Sequence, residues 1–140
     1  MAEKIVFNND VIKFMSLFNN VTKVDLKDCI DGPNKIIFIV GTGNAGKAIG
    51  KKGINVQKLE KKFSKKVKII EYNENPIQFI KNTIHPNKAR DIVCENEDTY
   101  IITPIDNSTR GMLIGRNAVN LREYEKIIMR YFKFKELKVV

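Results

Sequence analysis

The 140-residue sequence has two cysteines, one histidine, no tryptophan and no long apolar run. Cys29 and Cys94 are too few for the disulfide framework of a small secreted domain, and with His85 they supply three candidate ligands where a structural zinc site needs four. No apolar segment approaches the roughly 18 residues that cross a bilayer, and the first ten residues lack the apolar core of a signal peptide. We therefore expect a cytoplasmic protein with no metal site and no membrane partner.

The sequence has an excess of positive charge. There are 25 Lys and Arg against 16 Asp and Glu, a net charge of +9, within a composition (43% hydrophobic, 29% charged) typical of a folded chain. Nine lysines lie between Lys47 and Lys68, with Glu60 as the one acidic residue among them. This segment is either a phosphate-attracting surface or a lysine-rich face that is merely solvated.

The chain repeats itself at an offset of 65 residues. The segment 46–61 aligns without a gap on 111–126, with six of sixteen positions identical, and in the same register Cys29 falls on Cys94. Such self-similarity indicates two copies of one structural unit. We therefore predict two domains, at residues 1–72 and 73–140.

Apolar spacing predicts the same elements in both copies. Helices are expected at 11–18, at 44–49 and after the turn 50–53, where Val56, Leu59 and Phe63 would point inward, and strands at 22–28, 35–40 and 67–71, with the two cysteines buried. In the second copy we expect helices from 76 and at 109–114 and 119–131, and strands at 88–94, 99–105 and 134–139. The predicted class is α+β, each unit being α-β-β-α-α-β with a three-stranded sheet packed by helices on one face.

The glycine-rich segment 41–48 satisfies two nucleotide-binding patterns. Gly41, Gly43 and Gly46 spell the dinucleotide pattern, and Gly41, Gly46 and Lys47 spell the phosphate-loop pattern. However, Ala48 replaces the hydroxyl residue that would ligate magnesium, and the second copy keeps Gly46, as Gly111, without the two earlier glycines. A small nucleotide-dependent enzyme that uses Gly41–Lys47 is thus the alternative from another functional class.

A different pattern, G-x-x-G at Gly50–Gly53 between two short helices, is shared more fully by the copies. Glycines permit φ > 0 and let the backbone pass close to a sugar-phosphate chain. The following helix N-terminus offers partial positive charge, and Lys51 and Lys52 add mobile cations. Alone, such glycines can simply end one helix and begin the next.

The segment Ile49-Gly-Lys-Lys-Gly-Ile54, followed by an amphipathic helix and a strand, resembles a KH domain of type II. A tandem pair of these resembles the archaeal NusA-like transcription factors over the whole chain. The resemblance implies a non-enzymatic protein without cofactor or small-molecule substrate, which binds single-stranded RNA, the nascent transcript, in transcription termination or antitermination. It leaves open whether RNA polymerase is a direct partner. A ribosome- or RNA-processing-associated KH protein is the alternative within this class.

The resemblance also implies an RNA-binding surface in each copy. Its apolar groove would be floored by Ile49, Ile54 and the strand 36–40. In the second copy Ala118 replaces the last glycine, a change that costs about 1 kcal/mol if that position has φ > 0. Because Asn117 also leaves one cation in that turn, we expect a weaker clamp there. The candidate RNA-binding residues are Lys47, Ile49, Gly50, Lys51, Lys52, Gly53, Ile54 and Lys58, with Gly115, Arg116, Asn117 and Ala118.

Overall fold

The computed structural model describes residues 9–32 and 34–140. The described residues divide into two compact units, unit 1 up to Asn73 and unit 2 from Glu74. Each unit has the element order α-β-β-α-α-β, with a short 3-10 turn between its second and third helices. The α+β class and one three-stranded sheet in each unit are thereby confirmed. The limits 1–72 and 73–140 stay a prediction for domains that fold independently.

Unit 1 is built around the central strand of its sheet. The strand order is β1-β2-β3, with β1 antiparallel and β3 parallel to β2. Because β2 and β3 are parallel, the chain between them has to cross over, and it does so through two helices. The elements are α1 (Asn9–Thr22), β1 (Leu26–Asp31), β2 (Lys35–Val40), α2 (Ala45–Ile49), α3 (Ile54–Phe63) and β3 (Lys66–Glu71).

Unit 2 repeats this topology. Its strand order is β4-β5-β6, again antiparallel and then parallel. Asn75 caps the first helix, since its side chain accepts a hydrogen bond from the N–H of Ile77 at 2.9 Å, and Pro76 occupies the first helical position. The elements are α4 (Pro76–Ile84), β4 (Ala89–Glu95), β5 (Thr99–Pro104), α5 (Asn107–Ile114), α6 (Val119–Met129) and β6 (Glu136–Val139).

The core of unit 1 lies between the sheet and its helices. Phe38 on β2 stacks on Phe18 of α1 with ring centroids 4.5 Å apart, and Leu59 of α3 is fully buried in the same cluster. Every side chain from Ile36 to Val40 is buried. The nearly continuous apolar run was predicted to form an inner strand, and this is confirmed.

A glutamate joins helix to strand at the same place in both units. In unit 1 the Glu60 carboxylate of α3 accepts a hydrogen bond from the backbone N–H of Val67 in β3 at 3.0 Å. In unit 2 Glu125 of α6 accepts one from the N–H of Leu137 in β6 at 2.9 Å. The identity of these two residues in the repeat therefore has a structural reason, because each fixes the closing strand of its unit to the preceding helix.

Three sequence predictions are wrong in part. The strand predicted at 22–28 begins later, because the Thr22 hydroxyl still donates to the carbonyl of Phe18 at 2.9 Å as part of α1. The strand predicted at 134–139 begins at Glu136, since the connection after α6 is longer than the one after α3. Cys29 is buried but Cys94 is exposed, although β1 and β4 lie at equivalent edges of their sheets; the one buried side chain of β4 is that of Ile92. None of the helices in the described ranges is long and apolar enough to cross a membrane.

Candidate nucleic-acid interface

The first turn, Gly50–Gly53, lies between α2 and α3 and is closed by its own backbone. The N–H of Gly50 donates to the carbonyl of Gly46 at 3.0 Å, and that of Gly53 donates to the carbonyl of Gly50 at 3.1 Å. The N–H of Ile54 donates to Lys51. These bonds do not use the N–H groups of Lys51 and Lys52. The turn therefore offers backbone donors and two lysines together.

The backbone of the first turn is left-handed at successive residues. Gly50 has φ 80° and ψ 169°, a combination that is essentially restricted to glycine. Lys52 (φ 56°, ψ 26°) and Gly53 (φ 73°, ψ 21°) are both in the left-handed helical region. A Cβ built on Gly53 would meet no atom within 4 Å, so the space beside this glycine is open. A chain of another molecule can approach the backbone here.

The second turn, Gly115–Ala118, has the same backbone although its residues differ. Gly115 has φ 73° and ψ 176°, and Asn117 has φ 56° and ψ 32°. Ala118 has φ 61° and ψ 23°, so the expected strain at this position is present, on the order of 1 kcal/mol. The methyl group thus replaces the glycine without changing the shape of the turn.

The side chains around the first turn form a basic and partly apolar surface. Lys47, Lys51, Lys52 and Lys58 are all exposed, and none has an ion pair with another residue of the described ranges. Ile49 is 36% and Ile54 is 47% exposed, which is unusual for isoleucine. The predicted site residues on α2, on the turn and on α3 are thus exposed.

The strand that was predicted to floor the groove does not do so. All five side chains from Ile36 to Val40 are at most 2% exposed, because this central strand is covered on both sides. The prediction is wrong on this point, and among the described residues the exposed large apolar side chains next to the turn are those of Ile49 and Ile54. These two isoleucines lie directly before and after the turn.

The second turn carries a different set of side chains on the same backbone. Arg116 and Asn117 are exposed, as predicted for a turn with one cation. Met112 stands at the position of Lys47 and is 59% exposed, and Val119 stands at the position of Ile54 and is 57% exposed. The second turn is therefore less basic and more apolar than the first.

The short helices that precede the two turns are capped in different ways. Asn44 is the N-cap residue of α2, but its side chain makes no capping hydrogen bond. Instead the Glu71 carboxylate at the end of β3 accepts one from the N–H of Ala45 at 3.3 Å. In unit 2, Asp106 caps α5 and accepts a hydrogen bond from the N–H of Thr109 at 2.7 Å. This backbone bond, aided by the Thr109 side chain, lowers the pKa of Asp106 below its usual 3.8.

Asn55, which had no predicted role, lies across the first turn. Its side-chain Nδ2 donates to the carbonyl oxygen of Lys47 at 3.3 Å, and Asn120 donates in the same way to Met112 at 2.8 Å. The identity of the two asparagines in the repeat was the available signal. It could not be interpreted without knowing which carbonyl lies opposite each side chain.

Comparison with known families agrees with this geometry. A family model described as "KH domain" matches residues 15–78. A protein of Methanocaldococcus jannaschii named "Probable transcription termination protein NusA" is 32% identical to this chain over 139 residues, covering 98% of this chain and 76% of that protein. Its namesake from Methanococcus vannielii is 34% identical, covering 98% of this chain and 80% of that protein.

More distant relatives and solved structures extend the likeness. The "Transcription termination/antitermination protein NusA" of Bacillus subtilis is 24% identical over 59% of this chain, which corresponds to 22% of that longer protein. A structure described as "Crystal structure of APE1850" superposes with a TM-score of 0.74 over 96% of this chain and 100% of its own, at 22% identity. At that identity the superposition shows a shared fold.

Proposed function

The chain belongs to the family of archaeal NusA-like KH proteins, and we propose from this premise that it binds single-stranded RNA and acts in transcription termination or antitermination. In this proposal the two units are tandem type II KH domains at residues 1–72 and 73–140. The nascent transcript is the RNA partner, and RNA polymerase is the protein partner. Catalysis, a cofactor and a small-molecule substrate have no part in it.

The observation that carries the proposal is the first turn itself. Its backbone is left-handed at Lys52 and Gly53, the space beside Gly53 is open, and four lysines surround it. A sugar-phosphate chain can lie against such a backbone, with phosphates near the N–H groups of Lys51 and Lys52 and the start of α3. KH turns clamp about four nucleotides in this way. The bases would then contact Ile49 and Ile54.

The second turn contributes less to binding in this proposal. It has the same backbone, but Arg116 is its one cation and Ala118 places a methyl group where Gly53 leaves open space. Fewer phosphates are neutralised there, so the electrostatic part of the affinity is smaller. The two turns are a principal and an auxiliary clamp on RNA.

Charge reversal in each turn tests this assignment. Lys51→Asp with Lys52→Asp sets two anions against phosphate, and Asp tolerates the left-handed conformation of residue 52. We expect this variant to remain folded by circular dichroism and to lose most of its affinity for a ten-nucleotide single-stranded RNA. Arg116→Asp with Asn117→Asp should lose less. A control with the same change in charge, Lys133→Asp with Lys135→Asp, lies outside both turns and should bind nearly as the unmodified chain does. A larger loss in the second turn than in the first would contradict the assignment.

The cellular role needs a separate experiment. Crosslinking in cells, followed by recovery of the bound RNA and protein, should yield nascent transcripts and RNA polymerase subunits. Recovery of ribosomal RNA and ribosomal proteins in their place would contradict the role in transcription while leaving RNA binding intact.

The absence of nucleotide-dependent chemistry is testable by thermal unfolding. Each unit has a mixed three-stranded sheet, which differs from the parallel doubly wound sheet of dinucleotide-binding domains. We expect ATP, GTP and NAD at millimolar concentration, with magnesium, to leave Tm unchanged. A ligand at 100 times its Kd would add about 2.7 kcal/mol of stability, so a magnesium-dependent rise in Tm would support the nucleotide alternative at Gly41–Lys47.

A further inference from the structure

One side-chain contact recurs at the two turns and has no part in the proposed RNA contacts. Asn55 is the second residue of α3, and its Nδ2 donates to the carbonyl of Lys47 in α2 at 3.3 Å. Asn120, the second residue of α6, donates to the carbonyl of Met112 in α5 at 2.8 Å. Each bond spans eight residues and links the helix before a turn to the helix after it.

The acceptor in this contact is a carbonyl that has no hydrogen-bond donor within its own helix. Lys47 lies in the last turn of the five-residue helix α2, and the carbonyls of the last turn have no intrahelical donor. The chain turns away from the axis of α2 at Gly50, so the next N–H that could donate to the Lys47 carbonyl is displaced. The Asn55 amide supplies the missing donor from across the turn, and it thereby fixes the spacing of α2 and α3.

The same asparagine lies against the first glycine of its turn. A Cβ built on Gly50 would be 2.9 Å from Asn55 Nδ2, and one built on Gly115 would be 2.7 Å from Asn120 Nδ2 and Cγ. Glycine is therefore required there for two reasons, namely its φ near +80° and the space taken by the asparagine amide. The glycine and the asparagine five residues later form one structural device.

We propose that Asn55 and, in the second unit, Asn120 are positioning residues that hold each turn in its RNA-binding shape without contacting RNA. This inference rests on the proposed function of the turns. A turn that is ordered before binding does not have to be ordered by the ligand, and affinity rises in proportion to the fraction of molecules already in the competent shape. The asparagines raise RNA affinity by raising the fraction of molecules whose turns already have the competent shape.

The test replaces the amide donor of Asn55 in the 140-residue chain. Asn55→Ala removes the amide, and Asn55→Asp keeps the shape but carries no donor when ionised. Amide hydrogen exchange in the absence of RNA should become faster at Gly50, Gly53 and Ile54 in both variants. Single-stranded RNA affinity should fall about fivefold to tenfold for Asn55→Ala, in line with the loss of one hydrogen bond.

Hydrogen exchange in the absence of RNA separates positioning from direct contact, whereas the salt dependence does not, because asparagine is uncharged and neutralises no phosphate. If Asn55 acts on the shape of the turn, the affinity of Asn55→Ala falls together with faster exchange in the RNA-free protein. A fall in affinity with unchanged exchange would show that Asn55 contacts RNA, and it would overturn the positioning role. Unchanged affinity despite faster exchange would overturn it as well.

The second unit supplies the matched variant. Asn120→Ala should speed exchange at Gly115 and Ala118 and should reduce RNA affinity less than Asn55→Ala, because the second turn is the auxiliary clamp. Unchanged exchange at both turns in the two variants would overturn the proposal. Exchange is measured without RNA, so it still decides the role of the asparagines if the unmodified chain fails to bind RNA, a failure that would count against the proposed function.

Discussion

Ala118 adopts the same left-handed conformation as Gly53, with φ and ψ of 61° and 23° against 73° and 21°. An alanine is strained in this region by about 1 kcal/mol, whereas a glycine is not. The structure of the second turn nevertheless matches that of the first. The shape is therefore imposed by the other contacts of the turn and does not depend on a second glycine.

This relationship predicts the effect of exchanging the two residues. Gly53→Ala should lower the free energy of unfolding by about 1 kcal/mol, since φ is positive but no atom lies within 4 Å of the new methyl group. Gly53→Ala should also weaken RNA binding, because in the proposed function RNA lies against the backbone at residue 53. Urea unfolding followed by circular dichroism measures the first effect, and titration with single-stranded RNA measures the second.

The reverse exchange is the matched control. Ala118→Gly removes the strain in the same conformation, and we expect the free energy of unfolding to rise by about 1 kcal/mol, the reverse of the change in Gly53→Ala. A loss of several kcal/mol in Gly53→Ala would show that the space beside the first turn is not open. An RNA affinity that falls in Ala118→Gly would contradict the view that the methyl group hinders binding.

A second prediction concerns the glutamates that join helix to strand. Glu60→Ala removes the acceptor for the N–H of Val67, and Glu125→Ala removes the one for Leu137. Each should lower the free energy of unfolding by about 1.5–3 kcal/mol, the range for a hydrogen bond to a charged group. Thermal and urea unfolding check this. Glu74→Ala, at an exposed position before α4, should change stability by less than about 0.5 kcal/mol, and an equal loss in all three variants would contradict a specific role.

These contacts show which parts of the structure could be predicted from the sequence. The position of the first turn followed from Gly50 and Gly53, because glycine spacing reports a local backbone requirement. The identities Asn55/Asn120 and Glu60/Glu125 were visible, but their partners, the carbonyl of Lys47 and the N–H of Val67, lie across a turn or in the next strand. Their roles depend on three-dimensional distances that spacing does not give.

Burial was predicted less well than element order. Cys94 aligns with Cys29 in the repeat, yet it is exposed, because β4 has Ile92 as its one buried side chain whereas β1, at the equivalent edge of its sheet, has Asp28 and Cys29 buried. The groove was expected to use the strand 36–40, which is buried on both sides and therefore unavailable to a ligand. In both cases the error came from the surroundings of a strand, which alternation of residue types along the strand does not describe.

A third prediction uses salt to count phosphate contacts at the first turn. Single-stranded RNA affinity should fall with rising salt, with a log-log slope near −0.7 for each phosphate that is neutralised. Lys51→Ala with Lys52→Ala should make the slope shallower by about one to two contacts. Lys133→Ala with Lys135→Ala removes the same charge outside the turns and should leave it unchanged. Equal slopes for all three proteins would show that the lysines of the first turn are only solvated.

A fourth prediction concerns pH and the cap of α5. The N–H of Thr109 donates to the Asp106 carboxylate, and this bond lowers the pKa of Asp106 below its usual 3.8. A depressed pKa means that the cap stabilises the fold fully above the pKa of the unfolded chain and is lost as the pH falls through the lower folded value. Asp106→Asn keeps an uncharged capping acceptor at every pH. The unmodified chain should therefore lose stability relative to Asp106→Asn between pH 5 and pH 2 in urea unfolding. A difference between the two proteins that is the same at both pH values would show that Asp106 does not act through its charge.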